Sequence, residues 1–184
     1  INNSLQTARI FLEKTNRLIL TLGTAHAFVY KKTNTIVANC HKLPGQEFVR
    51  KRLSVEEIAA PLITVLKQLK EKLPGLEIVA TVSPIRHLRD GLVENQKSKA
   101  ALLLGLDEVC KKLDFAHYFP SYEIVLDDLR DYRFYEKDLS HPNEMAIDYI
   151  WKKFENVFFS EKTKNICQQV SQINNAANHR PFHP

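Results

Sequence analysis

Short apolar runs alternate with longer stripes at helical spacing along this chain. Residues 1–16 read as a short helix that is polar on one face. Arg17-Leu-Ile-Leu-Thr-Leu-Gly23 is a compact apolar run ended by a glycine, the form of a buried strand. Ala27-Phe-Val-Tyr30 and Thr35-Ile-Val-Ala38 flank the polar Lys31-Lys-Thr-Asn34 and predict a hairpin. Ser54-Val-Glu-Glu57 has the form of a capping box, in which the Ser54 hydroxyl and the Glu57 carboxylate each accept the other residue's backbone N–H. Val55, Ile58, Ala59, Leu62, Ile63, Leu66, Leu69 and Leu73 then recur at helical spacing, with Pro61 predicting a kink or a late start and Pro74-Gly75 the stop.

Leu76 to Val82 is the clearest strand, ended by Ser83-Pro84. A helix is expected from about Glu94 to Leu113, with Leu102, Leu103, Leu106, Val109 and Leu113 on one face. Phe115 to Phe119 reads as a third short strand and Tyr122 to Leu129 as a helical turn. Pro142 suits a first helical position, and Met145, Ala146, Tyr149, Ile150 and Phe154 mark the last core helix. From about Lys162 the chain turns polar, which predicts a short helix and a loose tail through Asn174, Asn175 and Pro181. Strands alternating with helices predict an α/β fold, a mostly parallel sheet with helices on both faces. Chemistry in such sheets gathers at the carboxyl ends of the strands. Here those ends are Gly23 to His26, Asn39 to His41, Ser83 to Asp90 and the loop leading to His141.

The chain has 184 residues and a formal charge of +5, enough for one domain with a core of its own. The apolar stretch Leu18–Tyr30 is too short to span a bilayer. Basic residues are scattered rather than striped, so the charge alone does not point to nucleic acid. Cys40, Cys110 and Cys167 are odd in number and far apart, which argues for free thiols and a cytoplasmic setting. Cys40 is expected to be a small buried hydrophobe. The five glycines are isolated, so neither a dinucleotide fingerprint nor a P-loop occurs, and HExxH is absent. No metal and no organic cofactor is expected.

Three segments carry candidate chemistry. In Asp138-Leu-Ser-His141 the three-residue gap lets the carboxylate reach the imidazole Nδ1, leaving Nε2 as a general base. In Thr81-Val-Ser-Pro-Ile-Arg-His-Leu-Arg-Asp-Gly91 a strand delivers Ser83, Arg86, His87, Arg89 and Asp90 to the active edge. There Arg86 or Arg89 can clamp a carboxylate or phosphate and His87 can hold a substrate oxygen. Ser83 makes a poor nucleophile because Pro84 follows it, without the strand-to-helix elbow. In Asn39-Cys-His-Lys42 the Asn39 amide can serve an oxyanion, while Cys40 and His41, adjacent on extended backbone, point to opposite faces. His26 and His117 read as satisfied histidines. The run from Asp127 to Glu136, crossed by Arg130 and Arg133, reads as an internally paired, solvated face.

Several segments together resemble the GSCFA family of bacterial proteins. They are Leu20-Thr-Leu-Gly-Thr-Ala25, Val37-Ala-Asn-Cys-His-Lys42, Thr81 to Asn95, Tyr118-Phe-Pro-Ser-Tyr-Glu123, and Asp128 to Tyr135 running into Asp138-Leu-Ser-His-Pro142. The likeness spans roughly residues 17 to 160. The family is grouped with the SGNH (GDSL-like) hydrolases. The resemblance therefore implies a flavodoxin-like three-layer α/β/α fold over residues 1–160, with residues 161–184 a C-terminal helix and tail. It also implies hydrolysis of a small-molecule or glycan ester by a Ser nucleophile, with His141 as base and Asp138 as its orienter. The superfamily's oxyanion Asn has no counterpart at Ala25, which leaves Asn39 as the substitute. The Gly-Ser-Cys-Phe-Ala motif that names the family is absent. The expectation is a C-terminal part of such a domain, with the nucleophile in an upstream segment. The first strand or strands of the sheet would then be missing, and the open edge would invite a homo-oligomer. The competing expectation is a non-catalytic module of the same fold, holding an anionic or glycan ligand on Arg86, His87 and Arg89.

Overall fold

The computed structural model describes residues 2–40 and 42–178. Helix α1 (Asn2–Glu13) leads into strand β1 (Arg17–Leu22), and β2 (His26–Tyr30) and β3 (Thr35–Val37) follow. Next come β4 (Phe48–Arg52), α2 (Val55–Lys72), β5 (Glu77–Val82), α3 (Leu92–Lys112) and β6 (Ala116–Tyr118). The chain closes with α4 (Ser121–Asp127), α5 (Glu144–Phe158) and α6 (Glu161–Asn178).

The main sheet is parallel, in the order β1-β5-β6, with Leu22 opposite Val82 and Ala80 opposite Tyr118. Its even-numbered side chains (Leu18, Leu20, Leu22, Ile78, Ala80, Val82) pack against α2 and α3, meeting Ile58, Ala59, Leu66, Leu102, Leu106 and Val109. On the opposite face Val79 and Phe119 meet α5 through Ile150, Phe154 and Phe158. Helices on both faces of a parallel sheet make the three-layer α/β/α arrangement. Each fully buried Leu, Ile or Phe of these layers contributes roughly 1.5–3 kcal/mol.

The capping box forms as predicted. The Ser54 amide donates to Glu57 Oε2 at 3.0 Å, and the Ser54 hydroxyl accepts from the Glu57 amide at 3.2 Å. Pro61 neither delays nor ends α2, which starts at Val55 and runs on to Lys72. Pro61 has no amide to donate to the Glu57 carbonyl, and the helix continues past it. Pro142 is not the first residue of α5. Asn143 caps that helix, its side chain accepting the Ala146 amide at 3.2 Å, and Pro142 instead faces Tyr135 in an antiparallel bridge. Helix α3 begins at Leu92, two residues earlier than expected, because Gly91 takes a positive φ of 87° at its start.

Two features depart further from the sequence reading. The hairpin belongs to a separate antiparallel sheet in the order β3-β2-β4, whose third strand, Phe48-Val-Arg-Lys-Arg52, is too basic to read as one. Strand β1 is not buried. Its neighbour on one side is β5 and on the other it is the edge of the sheet, and Arg17, Ile19 and Thr21 are exposed. Helix α5 covers Val79 of β5 and Phe119, the residue after β6, and leaves the outer face of β1 open. Cys40 is likewise only partly buried, and like Cys110 and Cys167 it is a free thiol. Helix α6 reaches Asn178, longer than the short helix expected, and Pro181 and His41 lie outside the described residues. Among the described residues no helix is long and apolar enough to cross a membrane.

Candidate active site

The Asp138–His141 segment is a tight loop closed at its base. Asn143 donates its amide to the Phe134 carbonyl at 3.0 Å, and Glu136 donates to the His141 carbonyl at 2.8 Å. Leu139 turns the chain at a positive φ of 56°, and its amide reaches the Glu136 carbonyl at 2.9 Å. Within this turn Asp138 Oδ1 accepts the amides of Ser140 (2.8 Å) and His141 (3.0 Å). Its Oδ2 lies 2.5 Å from His141 Nδ1. A carboxylate only accepts, so the proton of this contact sits on Nδ1 and Nε2 carries the lone pair. The two amides, with Nδ1 after them, hold the Asp138 carboxyl down at about 2.

His141 stands at an apolar cleft of about 420 Å³. Its floor is the outer sheet face, Ile19, Thr21, Thr81 and Ser83, and its wall is α5 with Ile147, Ile150, Trp151 and Phe154. Thr81 and Ser121 line it without leaving a polar group unsatisfied: the Thr81 hydroxyl donates to the Phe119 carbonyl (2.6 Å) and the Ser121 hydroxyl to the Val82 carbonyl (2.8 Å). Ser83 lies on the same lining, its Oγ accepting the Ile85 amide at 3.3 Å. Among the described residues no hydroxyl hydrogen-bonds to the His141 imidazole.

The other residues expected at the site take different roles. Arg86 is tied to the Asp138–His141 loop. Its guanidinium donates to the Leu139 carbonyl (3.2 Å) and the Tyr135 hydroxyl (3.0 Å) and lies over the Tyr135 ring at 4.2 Å. Its backbone amide donates to the Ser140 carbonyl at 3.1 Å. Arg86 therefore braces the loop that carries Asp138 and His141. Arg89 sits exposed on a 3-10 turn, its guanidinium 5.9 Å from the Phe28 ring, and does not line the cleft. His87 packs its ring against Gly23, where a Cβ would come within 3.3 Å of Nε2. Burial, helped by the charges of Lys99 and Arg50 and by His141 and His26, lowers its pKa and favours the neutral ring. Asn39 is exposed in the bend after β3, away from the cleft lining. The expected anion site on Arg86, His87 and Arg89 is thus not assembled around this cleft.

The other two histidines among the described residues have partners. His117 Nε2 lies 3.1 Å from Glu77, and His26 Nδ1 lies 3.4 Å from the Thr24 hydroxyl. In the acidic run Asp127 pairs with Arg130 and Asp131 with Arg133, as expected, whereas Asp128 pairs outside the run with Tyr149 and Lys153 of α5. Among the described residues no cluster of His, Cys, Asp and Glu is suited to a metal.

The buried polar residues of α3 escaped the sequence reading. Asn95, Ser98 and Lys99 are 5%, 2% and 1% exposed. The Asn95 side chain accepts the His87 amide (2.9 Å), and Ser98 Oγ accepts the Ala25 amide (2.7 Å). The Lys99 ammonium donates to the carbonyls of Gly23 and Ser83, both at 2.6 Å. The available signal was spacing, since Lys99 lies three and seven residues before Leu102 and Leu106, on the core-facing stripe.

The family model of the GSCFA family matches residues 1–154, which include the cleft and the Asp138–His141 loop. The chain belongs to the GSCFA family. No curated protein and no solved structure matches it. The GSCFA match takes in β1 to β6 and most of α5, leaving α6 outside.

Proposed function

We propose that this GSCFA chain is the base-bearing part of a Ser-dependent esterase of the SGNH type. The observation that carries the reading is the Asp138–His141 pair, closed at 2.5 Å, at the mouth of an apolar cleft. In this reading a segment outside the present sequence supplies the Ser. The open edge of β1 and the uncovered apolar residues Ile19, Ile147 and Trp151 offer that segment a strand partner and a packing face.

The steps follow from the tautomer. His141 Nε2 takes the Ser proton as Oγ bonds to the ester carbonyl carbon, and Asp138 stabilises the imidazolium through Nδ1–H. Collapse of the oxyanion breaks the bond to the leaving alcohol, which receives the proton from Nε2. Water then repeats the cycle on the acyl-enzyme, releasing acid and free Ser.

The test uses the protein with its upstream segment. A fluorophosphonate probe is expected to add once, on a Ser of that segment, with labelling lost in His141→Gln. Unchanged labelling in His141→Gln removes His141 as the base. A protein that neither labels nor hydrolyses short-chain esters is no esterase.

A further inference from the structure

The parallel ladder between β1 and β5 stops at a defined bond. Ser83 donates its amide to the Leu22 carbonyl at 2.9 Å, which fixes the phase of the pairing. In a parallel ladder of that phase the next bond would run from the Thr24 amide to the Ser83 carbonyl. The Ser83 carbonyl is taken by the Lys99 ammonium instead, and so is the Gly23 carbonyl, each at 2.6 Å. The next donor from β5 in that phase is the Ile85 amide, and it is turned to the Ser83 hydroxyl at 3.3 Å.

Two consequences follow for Thr24. Among the described residues its amide N–H has no acceptor. The Gly23–Thr24 peptide is trans, so an N–H opposite a carbonyl aimed at Lys99 points away from the Lys99 ammonium. The Thr24 hydroxyl is held at 3.1 Å from Ser98 Oγ, and the next amide, Ala25, donates to the same Ser98. The polar face of α3 thus fixes the residues on both sides of the Thr24 amide.

The chemistry of Lys99 fits a positioning task better than a stabilising one. It is 1% exposed and forms no ion pair among the described residues. Its compensation is two carbonyls and the face of Tyr122, 5.7 Å away. Burial holds its pKa down at about 8. An apolar side chain of similar length would avoid that desolvation cost.

We infer that Lys99 is a positioning residue that ends the β1–β5 ladder and so leaves the Thr24 amide free to donate to the oxyanion formed at the cleft. The oxyanion part rests on the esterase reading above. The ladder-ending part does not.

The test separates the two parts. Amide hydrogen exchange at Thr24 is measured by NMR in the 184-residue chain and in Lys99→Met. The wild-type Thr24 amide is expected to exchange without protection. In Lys99→Met the Ser83 carbonyl is released, the ladder extends by one bond, and Thr24 exchange slows at least about tenfold. Loss of a merely structural contact would speed exchange rather than slow it. A protected Thr24 amide in the wild type overturns the inference whether or not the variant folds. So does unchanged or faster exchange in a folded Lys99→Met.

With the upstream segment present, Lys99→Met is expected to lower kcat on an ester about 100-fold with KM within about twofold. Equal losses in KM and kcat, or none, refute the oxyanion assignment. An inactive wild type whose Thr24 amide exchanges freely refutes the esterase reading and the oxyanion role with it, and supports the ladder-ending role alone.

Discussion

Asp138 holds His141 by two separate bonds, Oδ1 to the backbone amide at 3.0 Å and Oδ2 to the ring Nδ1 at 2.5 Å. The first bond shapes the loop and the second sets the tautomer. These two tasks separate in Asp138→Asn. The Asn oxygen can still accept the two amides, but its NH₂ faces Nδ1 as a donor and favours the wrong tautomer. We expect the fold to be kept with a measurable loss of stability, and in the protein with its upstream segment a loss of kcat on the order of 10²–10⁴. Circular dichroism and ester turnover check the two parts.

The same carboxylate makes the loop sensitive to acid. The folded value for Asp138 is about 2, against an ordinary 3.8 in the unfolded chain. Between these values the unfolded chain binds more protons, so the stabilisation is present above pH 3.8 and is lost as pH falls toward 2. The stability difference between wild type and Asp138→Asn should shrink across that window. Urea unfolding at a series of pH values measures it.

Lys99 has a dependence of the same sign in an alkaline window. Its folded value, about 8, lies below the ordinary 10.5. Between these values the unfolded chain again binds more protons, so stability rises with pH from 8 toward 10.5. The wild type should gain on Lys99→Met over that range by on the order of 1–3 kcal/mol. Taking the difference between the two proteins cancels groups that titrate alike in both, Tyr118 among them, whose pKa burial and Glu123 raise.

Arg86→Met keeps the side-chain length but removes the bonds to Leu139 and Tyr135 and the stacking on the Tyr135 ring. We expect about 1–2 kcal/mol of destabilisation. Exchange at the Ser140 and His141 amides should quicken, while that of β5 stays unchanged. If Arg86 held an anionic substrate instead, the loop amides would not respond.

Gly105 sits where α3 crosses α2. A Cβ there would lie 2.8 Å from Ile58 Cγ2 and 3.2 Å from Ile58 Cβ. Gly105→Ala gains up to about 1 kcal/mol of helix propensity but forces this contact. We expect a net loss of about 1–2 kcal/mol, partly restored by Ile58→Val, which thermal unfolding of the three variants checks.

What could be read from the sequence were properties carried within a few residues. Apolar runs marked β1, β5 and β6, the Ser54–Glu57 spacing marked a helix start, and the three-residue gap in Asp138–His141 brought two side chains together within one turn. Each depends on short-range geometry, so the residue order alone determined it. The tertiary structure decided everything that depends on what lies across the fold. Arg86 and Leu139 meet over 53 positions and Lys99 and Gly23 over 76. Those meetings made Arg86 a brace of the Asp138–His141 loop and an unremarked lysine the end of a β ladder. The open face of β1 has the same origin. Its apolar run suits burial on both sides, but burial requires a neighbour. Only packing determines that α5 reaches Val79 and Phe119 and stops short of Ile19.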